Sequence, residues 1–404
     1  MSTAEHTLLL TLRTAVRSKQ AEDPELSGED WDKLLGLADE HEILPLVFDA
    51  LCRSQSLRTL APEQIKTWRE KAVASAMRQV VQTNEFLTLM LKAQAQGLDP
   101  IVLKGITVRS LYPKPMLRPS VDEDLFVSRE DAEKYHRFFL SEGLDPDEQE
   151  AEIHTADELS YHKPQSPTYI EMHMSLFPQD SDAYGDCNSL FENVSERSVR
   201  VQIEDVSLRV LEPTDHLLYL ICHAYKHFLH SGVGIRQVCD MGMFAGACGG
   251  EIDWQRIVRG CASIRIDRFA AALFRIAEKH LGFPLPEVFS GYAADEGALL
   301  ADMLSGGVYG IVDEDRLHSG SITLDAVAAQ KQGRRRRSLA ASLFPSAASL
   351  AGRYPYLRRR PWLLPIAWTQ RIAGYLKKRK TSAAASVRIG EKRIDLLRQY
   401  NIID

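Results

Sequence analysis

Residues 117–127 read LRPSVDEDLFV, and three carboxylates, Asp122, Glu123 and Asp124, stand directly before an apolar run. Charge is costly to desolvate, so acids at the mouth of a buried strand need a partner. On a strand, side chains two positions apart share a face, so Asp122 and Asp124 project together and Glu123 projects away. Such a pair can hold Mg²⁺, which takes one or two carboxylates together with substrate phosphate oxygens. The competing reading is a solvated acidic turn. Two further groups favour the metal. Glu171 lies in an alternating stretch, TYIEMHMSL, on the polar side shared with His173, where sheet pairing can add it as a third carboxylate. Lys104-Gly105 closes the short apolar run PIVLKG. Glycine permits close backbone approach there, a following helix N-terminus favours anions, and lysine adds a point charge. Arg118 can steer a triphosphate through its planar fork or pair with the acids after it. His173 can orient Glu171, act as a base, contact base or sugar, or simply sit hydrogen-bonded in a half-buried sheet. Together these are the parts of a metal-assisted phosphoryl-transfer site: an anion cradle, a carboxylate pair and a third carboxylate.

The surrounding pattern supplies the elements that must position them. Residues 1–97 carry apolar positions at three- and four-residue spacing and read as helices, the last ending at Gly97 and Pro100. PIVLKG and DLFV read as strands, ITVRSLY as a helix after the Lys-Gly turn, and SREDAEKYHRFFLSEG as a helix capped by Ser128. Residues 144–157 are acidic and read as a loop. ELSYHK and TYIEMHMSL read as strands paired through the Pro164–Pro167 turn, with SLRVL as one more strand. From Glu212 the chain is helical again, with Thr214 or Asp215 as cap. Four regions follow: helical 1–97, an α/β core at 98–212, a helical domain at 213–330, and a basic arm with a final helix at 331–404. His223 and His227 stand one helical turn apart and with Asp240 can bind a metal. Without a further acidic or histidine motif nearby, they read as packing, or as a contact to nucleotide or acceptor alongside Lys226.

The 404 residues, 45% hydrophobic and 26% charged, are those of a globular chain with room for more than one domain. Six scattered cysteines with no CxxC pair argue against a zinc ribbon or a disulfide framework. The N-terminus makes a poor signal peptide and no run is long enough to span a membrane, so a cytoplasmic protein is expected. Net charge is −6, yet residues 331–380 hold fourteen Lys/Arg and no Asp/Glu, so the body is acidic and one segment is strongly basic. That excludes a body-wide nucleic-acid surface. The clusters RRRR, RRR and KKRK interleave with Tyr354, Tyr356, Trp362 and Trp368. They can contact an anionic membrane, bind RNA phosphates, or pack on the acidic body.

VLKGITVRSLYPKPMLRPSVDEDLFV, then YIEMHMSL, then HLLYLICHAYKHFLHSGVGIRQVCDMGMF resembles the uncharacterised nucleotidyltransferase-like family of the polymerase-β superfamily. The resemblance covers roughly residues 98–245. It implies an α+β fold, with a small mixed-sheet core flanked by N- and C-terminal helical domains. It further implies Mg²⁺ (or Mn²⁺) held by Asp122, Asp124 and Glu171, and an NTP substrate, ATP as the first guess, contacted by Lys104, Gly105, Arg118 and His173. The expected activity moves an NMP to an unknown acceptor, a small molecule, protein or RNA, with release of pyrophosphate. Two positions depart from the superfamily pattern: Ile106 replaces a second small residue after the glycine, and Glu123 replaces an apolar residue between the aspartates. They support the alternative, a weak or inactive nucleotidyltransferase fold acting as a nucleotide-binding or membrane- or partner-docking module.

Overall fold

The computed structural model describes residues 1–17, 21–147, 153, 155–230, 232–293, 295–306, 314–333, 350, 354, 356–377 and 383–404. The RRRR run, LFPSAASL up to residue 349, and KKRK beyond Lys377 lie outside the described residues.

Four helices open the chain: α1 (Thr3–Ala15), α2 (Gly28–Glu40), α3 (Leu44–Leu51) and the 34-residue α4 (Pro62–Ala95). At about 1.5 Å per residue, α4 is long enough to leave the helical bundle and reach the sheet. Its last turns bury Phe86, Leu89, Met90 and Ala93 there. The helix stops where Gly97 turns left-handed (φ 76°), with the Leu98 amide donating to the Ala93 carbonyl and the Gly97 amide to Gln94. That pattern satisfies carbonyls that an abrupt end would leave orphaned.

The α+β core follows. It contains β1 (Ile101–Val102), α5 (Ile106–Arg109), β2 (Glu123–Phe126), α6 (Ala132–Ser141), β3 (Asp145–Pro146), β4 (Glu158–His162), β5 (Tyr169–His173), α7 (Val194–Arg197), β6 (Val199–Ile203) and β7 (Val206–Val210). The seven strands form one mixed sheet in the order β3-β4-β5-β2-β1-β7-β6. β2 runs parallel to β5 and antiparallel to β1, while β1 runs parallel to β7. One face carries Val102, Leu125, Leu159, Tyr161, Ile170 and Met172, covered by α6 and the end of α4. From the other, Ile101 and Leu103 enter a larger core shared with the helices.

The remaining helices are α8 (Pro213–His230), α9 (Ile235–Cys248), α10 (Trp254–Ser263), α11 (Asp267–Leu281), α12 (Gly297–Gly306) and α13 (Glu314–Lys331), with a terminal helix at Ala383–Gln399. Their apolar faces share that larger core with α1, α2 and α3. In the basic arm, Leu350, Leu357 and Ala367 form a separate small cluster, and Trp362 is 72% exposed. Among the described residues no helix is long and apolar enough to cross a membrane.

Several local expectations are corrected. The Ser128 helix starts later, at Ala132, with Asp131 at its cap; Ser128 instead donates its hydroxyl to the Asp131 carboxylate and accepts from the Asp131 amide. Helix α8 is capped by neither Thr214 nor Asp215: the Glu212 carboxylate accepts from both of their amides, at 2.8 and 3.0 Å. The segment 144–157 contains β3, a two-residue edge strand, and a further strand, β6, precedes β7, its sequence VRVQI alternating apolar and polar residues. β6 is an edge strand with Val199 and Val201 left exposed, stabilised by its ladder to β7 rather than by burial.

Candidate metal and active site

Register places the carboxylates. In the parallel β2–β5 pair, Asp124 stands opposite Glu171 and Phe126 opposite His173. In the antiparallel β4–β5 pair, Ser160 stands opposite Glu171 and Glu158 opposite His173. Because partners across a ladder share a face, Asp124, Glu171, His173 and Glu158 converge on one side of the sheet. Asp122 joins them: Lys104 Nζ lies 2.9 Å from Asp122 Oδ2 and 3.2 Å from Asp124 Oδ2. The turn between β4 and β5 is pinned from α4, where the Glu85 carboxylate accepts from Lys163, Ser166 and Thr168.

Glu123 does point to the opposite face, and it is fully buried. Its Oε1 accepts from Arg109 Nη2 at 2.6 Å and its Oε2 from the Ile106 amide at 2.7 Å. Arg109 is buried too and donates to Ser120 Oγ. Burial pushes the Glu123 carboxyl above its usual range, against the pull of Arg109 and of the Ile106 amide. The residue between the aspartates therefore ties β2 to the Lys104-Gly105 turn. The expected anion cradle takes a different form: the Ile106 amide is already spent on Glu123, α5 is only four residues long, and Lys104 faces Asp122 and Asp124. Gly105 adopts φ 73°, and a Cβ there would lie 2.1 Å from Glu123 Oε2.

The electrostatics on the open face are unbalanced. For Asp122, burial acts to raise the carboxyl, but Lys104 and more distantly Arg236 outweigh it and hold it below the usual range. For Glu171, burial and then the negative charges of Asp124 and Asp122 push the carboxyl up to about 9, with only partial relief from Lys104. Asp124 is 1% exposed, and its Oδ2 accepts no hydrogen bond, Lys104 being near but poorly aligned. A buried carboxylate oxygen without a donor, beside a carboxyl that resists ionisation, is what a cation would relieve. Among the described residues, Asp124, Glu171 and His173 form the group of His, Cys, Asp and Glu side chains able to hold an ion, with one ligand atom from each inside 4.8 Å of the others. The residues fit a divalent cation.

Other candidates land elsewhere. Arg118 does not pair with the acids after it. It makes a two-pronged ion pair with Asp240 on α9, at 3.1 and 2.6 Å, which Tyr112 joins through its hydroxyl at 2.7 Å. Asp240 is thereby occupied, and does not join His223 and His227, whose Nε2 atoms approach to 3.2 Å. Burial holds both imidazoles well below their usual range, so they are neutral at neutral pH. A narrow recess lined by Lys104, Arg118, Ser120, Arg236 and Gln237 opens beside Asp122. On the other side a wider cleft is lined by Arg129, Glu158, Tyr184, Lys226 and His227. Sequence reasoning missed Glu158, Arg109 and Arg236. Glu158 begins the strand ELSYHK, two positions before Ser160, and alternation across that hairpin was the one signal that could have exposed it.

No curated protein and no solved structure matches the chain. The sequence profile of an uncharacterised nucleotidyltransferase family does match it, over residues 27–282. That span takes in α2 to α4, all seven strands, and the helices through α11, and leaves out α1. With well over half its length matched, and a mixed sheet that gathers buried acids on one face, the chain belongs to this uncharacterised nucleotidyltransferase family.

Proposed function

We propose that the protein is a Mg²⁺-dependent nucleotidyltransferase that moves an NMP from an NTP, first ATP, to an acceptor hydroxyl. The observation that supports this is the convergence of Asp122, Asp124 and Glu171 on one face of the sheet, beside a lysine and a narrow recess lined by Arg118 and Arg236 together with Asp240. Asp122, Asp124 and Glu171 would hold the ion. Such an ion, when bound, polarises the α-phosphate and neutralises charge that builds on the leaving pyrophosphate.

The chain's own groups supply the rest. The acceptor oxygen attacks the α-phosphorus, the bond from that phosphorus to the α–β bridging oxygen breaks, and pyrophosphate leaves with the electron pair. The acceptor proton passes to a Glu171 carboxylate oxygen; burial and the neighbouring aspartates keep that carboxyl protonated in the ion-free protein, so it serves as the base only in its ionised form, which Lys104 favours. Arg236 and Lys104 flank the recess and would exchange their present partners, Glu42 for the one and Asp122 and Asp124 for the other, for the β- and γ-phosphates. The wider cleft on the Glu158 side would receive the acceptor. Glu123 does not weaken this reading, because its carboxylate is turned away from the aspartates and neutralised by Arg109. Incubating purified protein with α-labelled NTPs, Mg²⁺ and cell extract should label an acceptor. Unchanged labelling in the Asp122→Ala/Asp124→Ala protein would reject the site.

A further inference from the structure

The donor set on the open face is not all oxygen. His173 is 3% exposed, and its two nitrogens face different partners. Nδ1 lies 3.3 Å from Glu158 Oε2, while Nε2 lies 3.0 Å from Asp124 Oδ1 and 3.7 Å from Glu171 Oε2. Nε2 is hydrogen-bonded to Asp124 Oδ1, and in the tautomer that carries its proton on Nδ1, towards Glu158, the lone pair of Nε2 instead faces two carboxylate oxygens. Three lone-pair donors then face one another, an arrangement that a cation resolves. Ligands about 2.1 Å from a metal stand roughly 3.0 to 3.5 Å apart along an octahedral or tetrahedral edge. The two Nε2 distances are close to that spacing. The second oxygen of Asp124 is buried and accepts no hydrogen bond, although Lys104 Nζ lies 3.2 Å away, so the carboxylate has room for a further partner.

We infer that His173 is a ligand of the ion through Nε2, that Glu158 fixes its tautomer through Nδ1, and that the site takes a divalent transition metal more tightly than Mg²⁺. A carboxylate behind a metal-binding histidine is a recurrent device for orienting the ring and raising its basicity. Imidazole favours Co²⁺ and Zn²⁺ over the hard, oxygen-seeking Mg²⁺. The sheet builds the relay in one line: β4 supplies Glu158, β5 supplies His173 and Glu171, and β2 supplies Asp124. Lys226 on α8 stands 3.9 Å from Glu158 Oε2 and limits how far that carboxylate can swing. The inference rests on the proposed function only for where the ion sits, and it names a ligand and an orienting residue that nucleotidyl transfer does not require.

The test uses the full chain with Mn²⁺, Co²⁺ and Mg²⁺ as probes. Pulsed EPR of the Mn²⁺-loaded protein should show coupling to a directly bound ¹⁴N. Calorimetry should rank Co²⁺ above Mn²⁺ above Mg²⁺. His173→Gln should remove the nitrogen coupling and compress the Co²⁺-to-Mg²⁺ preference, and Glu158→Gln should weaken Co²⁺ binding roughly 10- to 100-fold. Absence of nitrogen coupling in the unaltered protein overturns the inference without relying on any variant's folding, as does equal Co²⁺ and Mg²⁺ affinity. Nitrogen coupling without label transfer to any acceptor would retain this inference and reject the transferase. Transfer with Mg²⁺ but no nitrogen coupling would do the reverse.

Discussion

Gly105 should be the most sensitive backbone position near the site. Its φ of 73° with ψ −110° lies outside the regions that residues with a side chain favour. In a Gly105→Ala protein the new methyl would stand 2.1 Å from Glu123 Oε2 and 3.2 Å from the Asp122 carbonyl oxygen. Glu123 has no space to retreat, since it is fully buried and held from both oxygens by Arg109 and the Ile106 amide. Backbone strain costs about 1–2 kcal/mol. Separating the carboxylate from the buried amide costs about 1–3 kcal/mol more. The sum, about 2–5 kcal/mol, is a large part of the roughly 5–15 kcal/mol that holds a typical domain together. Urea unfolding followed by circular dichroism should show a midpoint lowered accordingly. The logic also requires coupling: Gly105→Ala and Glu123→Ala together should cost less than the sum of the two alone, because the clash exists only when both are present. A Gly105→Ala protein within about 0.5 kcal/mol of the parent, the size of an ordinary surface change, would refute the reasoning.

Glu171 carries the pH dependence. Its folded-state carboxyl is raised from 4.5 to about 9, so the folded chain holds a proton that the unfolded chain releases, and the Glu171 contribution to metal-free stability should be full below pH 4.5 and fall as pH rises towards 9. Melting curves at pH 5, 7 and 9 should show that decline, flattened by saturating Mn²⁺; a Glu171→Gln protein that keeps both the decline and the Mn²⁺ effect would contradict it. Asp240→Ala should destabilise by about 3–5 kcal/mol, because it strands the buried Arg118 guanidinium, and a chemical-denaturation shift below about 1 kcal/mol would show that the pair is not structurally important. The arm with its exposed Trp362 should bind liposomes rich in anionic lipid at low salt, with loss on deleting residues 331–380; an intact protein that ignores such vesicles would remove the membrane contact.

What could be read from the sequence was what depends on local period. Alternation in TYIEMHMSL put Glu171 and His173 on one side of a strand, and the β2–β5 register places Asp124 on that side; Asp122 stands just before β2 and comes near Asp124 through Lys104, which pairs with both. The mixed sheet between helical layers also followed from the order of the periodic segments. What was not legible depends on pairing across distance. Arg118 and Asp240 lie 122 positions apart, and no local pattern announces that one will neutralise the other. Glu158 joins His173 only through the β4–β5 register, so at the head of the strand ELSYHK it read as a polar residue with no role in the site. Glu123 looked like a blemish between two aspartates. A buried glutamate between two acids of the open face makes sense only when Arg109 and the Ile106 amide are seen beneath it.

The parallel pairing of β2 with β5 has a consequence for the order of events during folding. Asp124 and Glu171 are neighbours across the ladder but 47 positions apart along the chain, with α6, β3 and β4 between them. Closing so long a connection must precede any reward from the contact, which makes this step intrinsically late. Until it happens, no folding intermediate contains the complete group of acids. A divalent ion can then be captured only by a chain whose sheet has already zipped in register, and a slip of one residue would turn Glu171 to the wrong side. Time-resolved metal capture during refolding would thus serve as a clock for sheet completion, and the ion would act as an inspector that retains correctly assembled molecules.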